Sequence, residues 1–151
     1  MKRLLLLAAI LVLALSSSAS CEVHDFGRFT MDVPEGWTTG QKNATRFVTR
    51  NDNMAQVTFT MADTDGKSLN EIADMLIKAY KENGFTDITK LVKDSEGYYT
   101  FSAENPYGAA CIEYFKVVDD EVRMISVVIA KGHEENAAGE IQKMFNSVVL
   151  K

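Results

Sequence analysis

Cys21, Cys111, His24 and His133 supply every thiol and imidazole of this 151-residue sequence. A thiol becomes a nucleophile only beside a base that takes its proton, and nothing in the spacing brings either histidine to Cys111. Cys111 stands among Ala109, Ala110 and Ile112, where a lone cysteine acts as a small buried hydrophobe. Asp63-Thr64-Asp65-Gly66 has the look of a calcium loop. Placing Gly66 at the turn glycine of such a loop, however, puts Met61 and Ile72 where the first and last acidic ligands belong. The four residues are therefore read as a turn. Asp119-Asp120-Glu121 is an acidic hairpin tip, which water solvates well enough without a cation. Two histidines without a C-x-x-C pair exclude an ordinary structural zinc site. No G-x-S-x-G, S-x-x-K, Walker glycine loop or dinucleotide fingerprint occurs, and none of the 21 acidic residues is singled out as half of a glycosidase pair. No catalytic residue, metal ligand or cofactor is expected.

The first residues carry an address. Met1-Lys2-Arg3 is cationic, Leu4 to Leu15 is unbroken apolar sequence, and Ser16 to Ser20 is small. This is the grammar of a secretory signal peptide, and the apolar run is too short for the ~20 residues that cross a bilayer. Residues 1 to 20 are read as a cleaved leader and residues 21 to 151 as one domain. Ser18-Ala19-Ser20-Cys21 resembles the lipobox of bacterial lipoproteins, with Ser18 where a branched aliphatic residue is usual. That resemblance implies a diacylglycerol on Cys21, hence anchoring at the periplasmic side of a membrane or at the cell surface. Ser18 and Ser20 also satisfy the small-x-small rule of ordinary signal peptidase. In that case Cys21 begins a soluble periplasmic or secreted protein and is available for a disulfide with Cys111.

Without the leader the net charge moves from −5 to −7, since Lys2 and Arg3 leave with it. An acidic body argues against nucleic acid and against electrostatic docking on anionic lipid. The remaining length suits a single domain with its own core, and no linker, repeat or low-complexity tail interrupts it.

The elements follow from periodicity. Phe26 to Val33 alternates and stops at Pro34-Glu35-Gly36; Trp37 to Gln41 and Arg46 to Thr49 flank Lys42-Asn43-Ala44; Ala55 to Met61 is a one-sided strand. Ser68-Leu69-Asn70-Glu71 is a capping box, and Leu69, Ile72, Ala73, Leu76 and Tyr80 share one helical face before Gly84, which predicts a helix over 69–83. Strands are predicted at Thr86 to Val92, Tyr98 to Ala103, Ala109 to Val118 and Val122 to Ala130, the last two joined as a hairpin by Asp119-Asp120. Val122 to Ala130 is apolar on both alternating sets, which places it near the centre of the sheet. A second helix from about Glu134 presents Ala137, Ile141, Met144, Phe145 and Val148 and runs almost to the end. Short connections make the sheet antiparallel, so the class is α+β.

Phe29-Thr30-Met31-Asp32-Val33-Pro34-Glu35-Gly36-Trp37 resembles the first strand and P-x-G-W turn of the PsbP and Mog-type superfamily, which includes DcrB-like bacterial lipoproteins. The order of elements agrees across nearly the whole chain after the leader. The resemblance implies an α/β/α sandwich around a twisted antiparallel sheet of about six to seven strands with two main helices, and a non-enzymatic binding or assembly role. It carries no functional residue with it; Trp37 is expected to seal the core beside the Pro34 turn. The leading expectation is an envelope module that binds an unidentified protein or small ligand. The alternatives are a small envelope hydrolase using Cys111 or scattered acids, and a homodimer formed through an edge strand.

Overall fold

The computed structural model describes residues 21–95 and 97–151, so the expected leader lies outside the described residues. The order is β1 (Cys21–Asp25), β2 (Phe29–Pro34), β3 (Trp37–Lys42), β4 (Thr45–Arg50), β5 (Ala55–Asp63), α1 (Leu69–Glu82), β6 (Val92–Lys93), β7 (Tyr99–Glu104), β8 (Ala110–Val118), β9 (Glu121–Ile129), α2 (Glu134–Asn146) and β10 (Val149–Leu150). A seven-stranded sheet runs β3-β4-β5-β9-β8-β7-β6, and its pairs are antiparallel. β9 is its middle strand, as the two apolar sets of Val122 to Ala130 require. A smaller sheet, β1-β2-β10, stands apart from it. Alternation and short connections alone predict one sheet, and the second arises because the chain leaves β2 at the Pro34 turn.

Alternation along the central strands sends side chains to opposite faces, and each face has its own core. On one face Phe59, Val127 and Ile129 meet Phe29, Met31 and Val33 of β2 and Ala137, Ile141 and Met144 of α2. On the other, Phe101 and Phe115 pack under Ala73, Leu76 and Tyr80 of α1. This is an α/β/α sandwich with the small sheet sharing the α2 layer. The capping box at Ser68 forms in both directions: the Glu71 amide donates to Ser68 Oγ and the Ser68 amide to Glu71 Oε2 at 2.8 Å. Asp119 and Asp120 both take positive φ, 51° and 59°, the conformation of a tight hairpin turn.

The P-x-G-W motif is the crossing between the two sheets. Pro34 ends β2, Gly36 turns the chain at φ +87°, and Trp37 enters β3 with its ring buried. Its indole Nε1 donates to Glu140 Oε2 of α2 at 2.9 Å, so the expected sealing role is what the fold shows.

Three segments differ from the periodicity reading. Phe26 lies in the turn before β2, and Cys21–Asp25, too short and polar to register as a strand, pairs with β2. Thr86 to Val92 is an irregular edge: Thr86 pairs with Glu104, the Thr89 amide reaches Ser102 O at 2.9 Å, and Val92 pairs with Thr100. The register slips by one residue at each step, and Asp87 takes φ 51°, so the segment bulges where a regular strand was expected. The final helix ends at Asn146. Ser147 Oγ donates to Met144 O at 2.7 Å and accepts the Asp32 amide at 2.8 Å, which pulls the chain onto β2 as β10.

Candidate ligand cleft

The cysteines stand on different parts of the fold. Cys21 is exposed at the start of β1, whereas Cys111 is buried at 2 % exposure in β8, on the α1 face of the large sheet. Both are free, and the seven-stranded sheet lies between them. Burial, reinforced by the nearby Glu113 carboxylate, raises the Cys111 thiol above its ordinary range, the reverse of what a nucleophilic thiolate needs. His24 lies in β1 with Nε2 3.6 Å from Glu22, and His133 is the N-cap of α2, so neither attends Cys111.

The acidic tip is also accounted for. Asp63 Oδ1 accepts the Asp65 amide at 2.9 Å, a local turn leading to the cap of α1. Asp120 O accepts the Thr64 amide at 2.9 Å, and Glu121 is held by two arginines. Among the described residues no group of three His, Cys, Asp or Glu is arranged to hold a metal ion. Nor is any described helix long and apolar enough to cross a membrane.

One buried polar group escaped the sequence reading. Glu113 of β8, 3 % exposed, accepts hydrogen bonds from the Tyr80 hydroxyl of α1 and from Ser126 Oγ of β9, the latter at 2.6 Å. Burial raises its carboxyl above the ordinary range, while the two hydroxyls pull it back. Burial and the neighbouring carboxylate raise the Tyr80 phenol, which stays a donor. The network ties α1 to the sheet. Its signature was an acid between Cys111 and Phe115 on the inward set of an otherwise apolar strand.

The cleft that can take a ligand lies where the α2 layer stops short of covering the large sheet. β5, β8 and β9 run beyond the small sheet there, and pairing sets Met61, Arg123 and Lys116 side by side across three strands. Tyr98 extends the row, with Lys116 Nζ 4.1 Å above its ring. Phe29, Phe59, Ile125 and Val148 line the cleft, with Leu150 of β10 and the flanking Arg28 and Lys151 at its other side. The space is about 230 Å³.

Four cations thus surround an apolar lining in a chain of net charge −5. Glu121 takes both arginines: Arg28 Nη1 and Nη2 at 3.2 and 3.1 Å, and Arg123 Nε at 3.1 Å. Lys151 Nζ lies 2.6 Å from Asp25 Oδ2, and this hydrogen bond lowers the Asp25 carboxyl. Lys116 has no carboxylate at ion-pairing distance among the described residues. The lining offers hydroxyls, guanidinium and ammonium groups but no acid, thiol or imidazole, so it can hold and orient an anion.

No family model matches the chain, and no curated protein matches it in sequence. Solved structures match its fold. The Ran-binding protein Mog1p of Saccharomyces cerevisiae aligns over 88% of this chain and 96% of its own, at 14% identity and TM-score 0.56. Cyanobacterial PsbP from Synechocystis sp. PCC 6803 aligns over 90% of this chain and 95% of its own, at 8% identity and TM-score 0.60. The chain therefore has the PsbP/Mog fold, as the P-x-G-W resemblance implied.

Proposed function

We propose that this chain is an exported envelope protein, anchored by lipid at Cys21 in the manner of DcrB-like lipoproteins, and that it works as a non-catalytic binding module through the cationic cleft. The observation that carries the reading is the lining: four cations around an apolar floor that includes no acid, thiol or imidazole side chain. A hydrolase built on Cys111 has little support, since that thiol is buried and held protonated. Mog1p is a Ran-binding protein, so this fold serves recognition in another setting.

The placement of Cys21 suits a tether. β1 starts at Cys21 and ends at Asp25, beside Lys151 and the cleft, so the anchor point and the cleft stand at opposite ends of a strand ~13 Å long at about 3.3 Å per residue. A body held by Cys21 presents the cleft away from the membrane.

Photo-crosslinking in living cells tests the reading. A photoreactive residue replacing Met61, inside the cleft, should capture an occupant, and Lys116→Gln with Arg123→Gln should abolish the capture. The same residue at Val92, on the irregular edge, should capture nothing that depends on those two cations. Capture that ignores the cations, or none at Met61, contradicts the assignment.

A further inference from the structure

The cleft reading has a sharper form: we infer that the cleft holds a medium-chain monocarboxylate, with its carboxylate between Arg123 and Lys116 and its alkyl chain along Phe59 and Ile125. This inference rests on the binding role proposed above and names the chemistry of the occupant.

Charge is the first argument. Arg123 and Lys116 are direct cross-strand partners on β9 and β8, and like charges directly opposite each other destabilise a sheet. The fold neutralises them only in part, because the carboxylate that pairs with Arg123 is shared with Arg28. Both oxygens of Glu121 are already engaged by Arg28 and Arg123, and Asp25 serves Lys151. Among the described residues Lys116 has the face of Tyr98 and no carboxylate. The terminal nitrogens of Arg123 lack a protein partner among the described residues and offer a carboxylate a planar fork, with the Lys116 ammonium alongside. An incoming anion offsets the excess of positive charge that Glu121 and Asp25 leave among the four cations.

The lining supplies the second argument. Phe59 and Ile125 are paired neighbours one step along the strands from Met61 and Arg123, so apolar surface begins directly beside the cations. A ligand must therefore join its anion to a hydrocarbon without an intervening polar link. A peptide terminus would set amide groups against Phe59 and Ile125, which cannot pair them, at a cost in affinity. Size is the third. A cleft of about 230 Å³ has the room for a carboxylate and a short alkyl chain. Leu150, 71% exposed at the mouth, extends apolar contact to the carbons beyond.

Calorimetric titration of the purified chain with octanoate tests this, alongside octanol and octylammonium as neutral and cationic probes of equal length. Octanoate should bind, octanol at least tenfold more weakly, and octylammonium not at all. Each methylene added from hexanoate to octanoate should tighten binding about fourfold. Arg123→Gln should weaken octanoate about ten- to a hundredfold, as expected for loss of a charged hydrogen bond, with Arg123→Lys recovering part of it. The Met61 methyl resonance should shift on titration, which reads occupancy independently of heat. Octanol binding as tightly as octanoate, or octanoate binding unchanged by Arg123→Gln in a folded variant, overturns the inference. If octanoate fails while Met61 crosslinking in cells still depends on Lys116 and Arg123, the monocarboxylate is wrong and the binding role stands. Loss of both removes the two together.

Discussion

Replacing Tyr80 by Phe removes one hydroxyl from the buried network and leaves the ring, which packs 4.3 Å from Phe85 and 5.2 Å from Phe101 between centroids. The lost partner belongs to Glu113, a carboxyl 3 % exposed whose other hydrogen bond comes from Ser126. A hydrogen bond to a charged group is worth ~1.5–3 kcal/mol and to a neutral one ~0.5–1.5 kcal/mol. The penalty of Tyr80→Phe should therefore be about 2 kcal/mol at a pH above the raised Glu113 value, where the carboxylate is ionised, and about 1 kcal/mol at a pH below it, where burial keeps the acid protonated. At roughly 4 °C per kcal/mol for a domain of this size, the midpoint falls by about 8 °C at the higher pH and about half that at the lower. Thermal unfolding followed by circular dichroism reads both. A drop of equal size at the two pH values, or none, refutes the assignment of Tyr80 as the donor that supports the buried carboxylate.

Other consequences follow from the same geometry. Because the Glu113 pKa is raised in the fold, its contribution to stability is fully present below the ordinary value of 4.5 and is lost as pH rises through the raised value. Glu113→Gln should thus flatten the pH dependence of the melting temperature above pH 4.5, and an unchanged profile speaks against it. Ser68→Ala removes the capping box of α1 and should cost about 1 kcal/mol in denaturant unfolding, with Ser68→Asp restoring most of it. Gly40 faces Phe47 across the β3–β4 pair, and a Cβ at position 40 would collide with that ring, so Gly40→Ala should cost about 1–3 kcal/mol. The double variant Gly40→Ala with Phe47→Ala should lose less than the two singles together, a coupling that a thermodynamic cycle measures.

Periodicity and caps made most of the framework legible. The Ser68 box, the one-sided strand from Ala55 and the two-sided apolar strand from Val122 each placed its element, because the local signal and the final burial agree there. β1 and β10 were not legible for a physical reason. A five-residue strand whose one branched aliphatic residue is Val23, and a two-residue strand, carry no period of their own and exist only because β2 offers them both its edges. Thr86 to Val92 misled because alternation cannot show that Asp87 will turn the chain and shift its register. The cleft was the least legible part. Arg28, Lys116, Arg123 and Lys151 are scattered through the sequence, and each reads alone as a solvated surface charge; only the cross-strand register and the return of β10 gather them. Cys21 is the opposite case, since its expected role comes from its neighbours in sequence, and the fold adds only its exposure.

The central claim is a tethered body whose cleft holds an anion without transforming it. Native mass spectrometry of the protein drawn from cell membranes tests both halves at once. The account predicts a polypeptide beginning at an acylated Cys21, with a non-covalent anionic adduct that disappears in the Lys116→Gln, Arg123→Gln variant. A chain that retains residues 1 to 20, or an acyl-free chain whose adduct survives the loss of both cations, would contradict it.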